Sequence, residues 1–127
     1  MVGGNEKIMD HFRNPRNVGE IQDASGVGTI ANATCGDIIQ LFVKVCEGKI
    51  VDAKFKTFGC GASIAASSII TEEIKGKTPV DALEITEEII SGLSHDMPMD
   101  KMPCSLLARD ALKAALYEYH CKKNKGC

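Results

Sequence analysis

The stretch Ile38-Ile39-Gln40-Leu41-Phe42-Val43-Lys44-Val45-Cys46-Glu47-Gly48-Lys49-Ile50-Val51-Asp52-Ala53-Lys54-Phe55-Lys56-Thr57-Phe58 decides the fold. Ile39, Leu41, Val43 and Val45 alternate with more polar residues, the period of a half-buried strand. Glu47-Gly48-Lys49 is a turn signal, and Val51, Ala53 and Phe55 resume the alternation. Pairing Val45 with Val51, Val43 with Ala53 and Leu41 with Phe55 puts every apolar side chain on one face. A slip of one residue would set Val43 against Asp52 and Leu41 against Lys54, which disfavours it. This register predicts a hairpin with a three-residue loop and Gly48 available for a left-handed position. Extended outward, it sets Gly36 opposite Cys60 and Asp37 opposite Gly59. Cys35, Asp37 and Cys60 then gather at one end of the hairpin, on strands about 4.8 Å apart.

Upstream, Gly26, Gly28 and the Thr29–Thr34 segment read as another strand. Downstream the period becomes helical. Ala62 to Lys75 is one helix, stopped by Gly76. Thr78 caps a short helix that opens on Pro79, and Thr86 caps another over Glu87 to Leu93. A loop with Met97, Pro98, Met99 and Met102 follows. Pro103 starts a long amphipathic helix through Leu107, Ala108, Ala111, Leu112, Ala115 and Tyr119. The expected class is α+β, a small antiparallel sheet followed by several helices in one domain over residues 1–127.

Composition narrows the function. Lys plus Arg is 15 and Asp plus Glu is 17, so the net charge of −2 offers no electrostatic reason to bind nucleic acid. Met1 to Lys7 lacks the apolar core of a signal peptide, and no apolar run is long enough to span a membrane. A cytoplasmic location with reduced thiols is the expectation. The six cysteines among 127 residues fall below the roughly 8–10% of a disulfide-stapled scaffold. With no CxxC pair, thioredoxin-like and zinc-ribbon chemistry are unsupported.

Three cysteines share a setting. Cys35 lies in a glycine-bearing loop before a strand, Cys60 between Gly59 and Gly61 where a strand gives way to a helix, and Cys104 in the first turn of the last helix. A helix start favours the thiolate, the form that binds soft metals and attacks sulfur. Asp37, two residues after Cys35, is a candidate oxygen ligand, though Asp is also common at loop ends. Lys101 could steady negative charge near Cys104. Cys46 reads as packing, and His11 and His120 as surface residues. None of the three histidines has metal-ligand spacing to a cysteine.

These residues resemble the IscU/NifU-type iron–sulfur cluster assembly scaffolds over nearly the whole chain. Asn14-Pro15-Arg16-Asn17-Val18-Gly19, Cys35-Gly36-Asp37, Thr57-Phe58-Gly59-Cys60-Gly61-Ala62 and Lys101 with Cys104-Ser105-Leu106-Leu107-Ala108 match family motifs in order. The resemblance implies a three-stranded antiparallel sheet packed against helices. It implies that Cys35, Cys60 and Cys104 hold a nascent, transient [2Fe-2S] cluster built from iron. Asp37 would be the weak ligand that keeps the cluster transferable to apo iron–sulfur acceptor proteins. A cysteine desulfurase would deliver persulfide sulfur, with Cys104 as acceptor and Lys101 assisting. By this resemblance the protein is an assembly scaffold or carrier rather than an enzyme, and a dimer when loaded is possible.

Two departures follow. The family usually has histidine before the third cysteine; Pro103 stands here, with no ligating side-chain atom. Asp37 is the obvious substitute for the missing fourth ligand of a resting zinc, with solvent or a second subunit as other sources. Where the family has an apolar Leu-Pro-Pro-Val-Lys chaperone motif, this chain has Met97-Pro98-Met99-Asp100-Lys101, whose Asp100 counts against heat-shock-type chaperone engagement. Cys121 lies 17 residues beyond Cys104, about 25 Å along a helix, too far to share a site within one chain. Cys127, after a tail of six residues that extends about 20 Å at most, is also out of easy reach. Two other classes stay open from the residues alone: a zinc-binding thiolate protein, and a persulfide sulfurtransferase using Cys104, which lacks an obvious general base.

Overall fold

The computed structural model describes residues 10–11, 13–32, 36–59, 61–93 and 102–122, with the backbone alone at 32, 61–62, 93, 102–105 and 122. The element order is β1 (Gly26–Asn32), β2 (Asp37–Cys46), β3 (Lys49–Phe58), α1 (Gly61–Ile74), α2 (Pro79–Leu93) and α3 (Met102–Lys122). The strands form one antiparallel sheet in the order β1-β2-β3.

The expected register holds over most of the hairpin: Leu41 pairs with Phe55 and Val43 with Ala53. It changes at the turn. A bulge between Lys44 and Val45 pairs Val45 with Ile50 instead of Val51. The loop is therefore two residues, Glu47 at φ 53° and Gly48 at φ 78°, the pair of left-handed conformations that matches strand twist in a tight hairpin. The bulge turns Ile50 fully inward and leaves Val51 53% exposed. Both are β-branched and apolar, so alternation alone could not choose between them. The first strand is described over Gly26–Asn32, and the rest of its expected span, through Thr34, lies outside the described residues.

α1 and α3 pack on the face carrying Ile39, Leu41, Val43, Ala53 and Phe55, and α2 packs against those two helices. α1 is buried on nearly every side. Its apolar Ala65, Ala66, Ile69 and Ile70 join the core, and its polar Ser63, Ser67, Ser68 and Thr71 are fully buried as well. The N-terminal segment covers part of that polar side. Arg16 donates its backbone N–H to Ser68 Oγ, and His11 Nδ1 shares a 2.6 Å hydrogen bond with the same hydroxyl. Asn17 donates to Thr71 Oγ1. His11 is thus 6% exposed, not a surface residue, because α1 offers it a polar partner inside. The same segment then bridges the edge of β3, with Phe55 N–H donating to Asn17 O and Gly19 N–H to Phe55 O.

The expected break at Thr86 is absent, and α2 runs unbroken from Pro79 to Leu93. Thr78 does cap it, accepting from the Asp81 N–H at 3.2 Å. Thr86 is fully buried and donates to Ala82 O at 2.7 Å. Its hydroxyl satisfies itself four residues back, the other option open to a threonine in a helical sequence. No glycine or proline interrupts residues 79–91 after Pro79.

α3 lies against β1 with no side chain between them. A Cβ on Gly26 would stand 1.9 Å from Ala115 O, and one on Gly28 would stand 2.0 Å from Ala111 O. Two steps along the strand match four along the helix, so α3 runs antiparallel to β1. Glu118, near its end, accepts the Val27 N–H at 2.8 Å, occupying one otherwise open group on the edge strand. Among the described residues no helix is long and apolar enough to cross a membrane.

Candidate functional site

The site is built at the end of the sheet where Asn32 pairs with Asp37 and Ile38 with Phe58. Asp37 opens β2 directly after Gly36, whose φ of 75° is readily adopted only by residues lacking a Cβ. The carboxylate of Asp37 turns inward and is 4% exposed. It fills the space a side chain at Gly59 would need: a Cβ there would stand 2.6 Å from Asp37 Cγ and 2.8 and 2.9 Å from its two oxygens. The expected placement of Asp37 across from Gly59 therefore holds, and it explains why position 59 carries no side chain.

From the other side Ser63 closes on the same group. Its Oγ, fully buried in the first turns of α1, donates to Asp37 Oδ2 at 2.8 Å. A carboxylate costs several kcal/mol to bury unless hydrogen bonds satisfy it. The Ser63 hydroxyl supplies one such bond.

The third element is α3. Cys104 stands seven residues before Ala111, so its backbone lies about 10 Å back along the helix axis. Because α3 runs antiparallel to β1 from the Ala111–Gly28 contact, this shift carries the first turn of α3 toward Asn32 and Asp37. The loop–strand junction at Asp37, the β3–α1 junction at Gly59 and the start of α3 thus converge on one end of the molecule.

Of the residues read as ligands, Asp37 is described in full and Cys104 by its backbone. Cys35, Cys60 and Lys101 lie outside the described residues, as do His95, Pro98 to Asp100 and Cys127. Among the described residues no three metal-ligating side chains gather. Cys121 is exposed with a free thiol near the far end of α3, the end opposite Cys104 and away from the site. Cys46 departs from the packing role expected of it. It is half-buried at the end of β2 beside the turn, and it is disulfide-bonded. Ser63 was not singled out from the sequence. A hydroxyl three residues into a helix after a Gly-Cys-Gly junction was the available signal, and only the fold shows which carboxylate it meets. Ile38, 42% exposed, and Phe58, 78% exposed, add an uncovered apolar pair beside the site.

Comparison with known proteins places this geometry. Residues 4–126 match the NifU-like N terminal domain. The chain is 50% identical over 120 residues to the iron-sulfur cluster assembly scaffold protein IscU 1 of Archaeoglobus fulgidus, covering 94% of this chain and 78% of that protein. It is 48% identical over 123 residues to the scaffold protein IscU of Rickettsia prowazekii, covering 93% and 92%. The crystal structure of a putative iron-sulfur cluster assembly scaffold protein for the SUF system from Fervidobacterium islandicum superposes with a TM-score of 0.77 at 30% identity, covering 87% of this chain and 94% of that one. The NifU-like N-terminal structure from Brucella abortus shares the fold at a TM-score of 0.78 and 19% identity, covering 94% and 95%. The chain belongs to the NifU-like N-terminal domain family, the family of the IscU-type iron–sulfur cluster assembly scaffolds.

Proposed function

We propose that the protein is a scaffold on which a [2Fe-2S] cluster is assembled from iron and persulfide sulfur and then passed to apo-proteins. The observation that carries this reading is the buried Asp37 carboxylate at the junction of three elements, each with a cysteine at that junction in sequence: Cys35 two residues before Asp37, Cys60 directly after Gly59, and Cys104 in the first turn of α3. Three thiolates select iron–sulfur chemistry or zinc, and a carboxylate among them makes one iron site weaker. Membership in the family of the IscU-type scaffolds supports the same reading.

In this account Cys104 accepts sulfur from a cysteine desulfurase. Its thiolate attacks the outer sulfur of the desulfurase persulfide, and the desulfurase cysteine leaves as a thiolate. Lys101, three residues away, steadies the negative charge. Two persulfide sulfurs need four electrons to become sulfide. Two ferrous ions supply two on becoming ferric, and an electron donor supplies the rest. Cys35, Cys60, Cys104 and Asp37 hold the product. The protein acts as assembly site and carrier.

Anaerobic incubation with ferrous iron, cysteine and a desulfurase should produce sulfide-to-iron charge-transfer absorption. Cys35→Ala, Cys60→Ala and Cys104→Ala should each abolish or strongly weaken it. If all three substitutions leave the spectrum unchanged, the site is misassigned.

A further inference from the structure

We propose that Ser63 is the positioning residue that keeps Asp37 a weak ligand, and so sets how fast the cluster leaves the scaffold. The inference rests on the reading of Asp37 as a cluster ligand. It comes from the 2.8 Å hydrogen bond from Ser63 Oγ to Asp37 Oδ2, between two side chains that are 0% and 4% exposed.

Burial matters because no bulk water can replace the bond if it is lost. A hydroxyl that donates to a carboxylate draws electron density from the oxygen it meets, and outer hydrogen bonds of this kind tune how strongly a metal ligand binds. Gly59 leaves the carboxylate room to sit against α1: its missing Cβ would lie 2.6 Å from Asp37 Cγ. The carboxylate therefore has a built resting position on Ser63, to which it returns when iron lets go. With or without iron, the hydroxyl competes with the metal for the same charge. Removing it leaves Asp37 a stronger donor to iron.

The exchange involves no net redox change. The intact cluster core leaves; acceptor thiols lose protons as they bind iron, and the scaffold cysteines regain protons as they are displaced. Asp37 falls back on Ser63 as a carboxylate.

The test is cluster transfer from loaded scaffold to an excess of an apo-ferredoxin, followed by visible circular dichroism, for wild type, Ser63→Ala, Asp37→Ala and the double variant. Far-ultraviolet circular dichroism checks that each is folded. Ser63→Ala should slow transfer about three- to tenfold, and Asp37→Ala should change its rate. In the Asp37→Ala background the Ser63 substitution should change nothing further. Mössbauer spectra of 57Fe-loaded Ser63→Ala should shift the signal of the oxygen-ligated iron and leave the sulfur-ligated iron unmoved, which a merely structural role would not do. Wild-type transfer by Ser63→Ala, equal slowing in the Asp37→Ala background, or a folded Ser63→Ala protein that takes up no cluster overturns the role of Ser63 alone. Wild-type transfer by Asp37→Ala overturns that role together with the ligand reading beneath it.

Discussion

Replacing Gly28 with alanine adds one methyl group at the tightest contact between the sheet and α3. Its Cβ would stand 2.0 Å from Ala111 O, 2.6 Å from Ala115 N and 2.9 Å from Ala114 Cβ. Ordinary van der Waals contact of a Cβ begins at about 3.4 Å, so the helix must retreat by roughly 1.4 Å. The obstacle is backbone, which no rotamer change relieves. Retreat loosens the layer formed by Leu107, Ala108, Ala111, Leu112 and Ala115, all at most 5% exposed. A radial gap of 0.5–1 Å already forfeits a quarter to a half of each dispersion contact, and overpacking typically costs about 1–3 kcal/mol. We expect the upper end, about 3 kcal/mol, a large share of a total of roughly 5–15 kcal/mol. At about 4 °C per kcal/mol for a domain of this size, Tm should fall by roughly 12 °C. Urea unfolding followed by far-ultraviolet circular dichroism measures the change. Gly92→Ala is the control: among the described residues nothing beyond its own stretch of helix lies within 4 Å of its added Cβ, and in helix α2 it should stabilise by up to about 1 kcal/mol. Because α3 carries Cys104, Gly28→Ala should also lower the yield of reconstituted cluster. A Gly28→Ala protein within 0.5 kcal/mol of wild type would refute the reasoning.

Other consequences follow from single groups. Ser67 Oγ is fully buried and has no hydrogen-bond partner among the described residues; Ser67→Ala should stabilise by about 1 kcal/mol, whereas Ser68→Ala, which removes the hydroxyl bonded by His11 and the Arg16 N–H, should destabilise by about 1–2 kcal/mol. Chemical denaturation of the two variants side by side checks the opposite signs. The Lys44 ammonium hydrogen-bonded to Asp23 holds that carboxyl below the usual carboxylate range. A depressed carboxyl contributes stability at pH values above its unfolded pKa and loses it as pH falls through the folded one. Lys44→Met should therefore raise the Asp23 pKa in an NMR titration and flatten the acid limb of the stability profile. Thr86→Val should destabilise α2 by about 1 kcal/mol through its lost bond to Ala82 O, read as a lower urea midpoint.

How much of this was legible depended on what each residue could do alone. The Leu41–Phe55 and Val43–Ala53 pairs were readable because a one-residue slip puts Asp52 and Lys54 on the apolar face. The bulge was not, because Ile50 and Val51 are equally good core residues and only the geometry of a two-residue turn selects Ile50. Thr86 was ambiguous in the same way: its hydroxyl can cap a new helix or bond backward within an old one, and the choice depends on burial against the core. The placement of Asp37 beside Gly59 followed from extending the register. Its partner Ser63, and the docking of His11 on Ser68, join residues 26 and 57 positions apart, a separation no local pattern encodes. Cys46 was misread because its strand alternation resembles packing, while its place at the strand end leaves the sulfur accessible for a disulfide.

The most direct test of the central claim is the content of iron, zinc and acid-labile sulfide in protein purified anaerobically and then incubated with iron and a desulfurase. The account predicts iron and acid-labile sulfide in equal amounts, lost together when Cys35, Cys60 or Cys104 is replaced by alanine. A single zinc that survives the treatment, with no acid-labile sulfide gained, would contradict it.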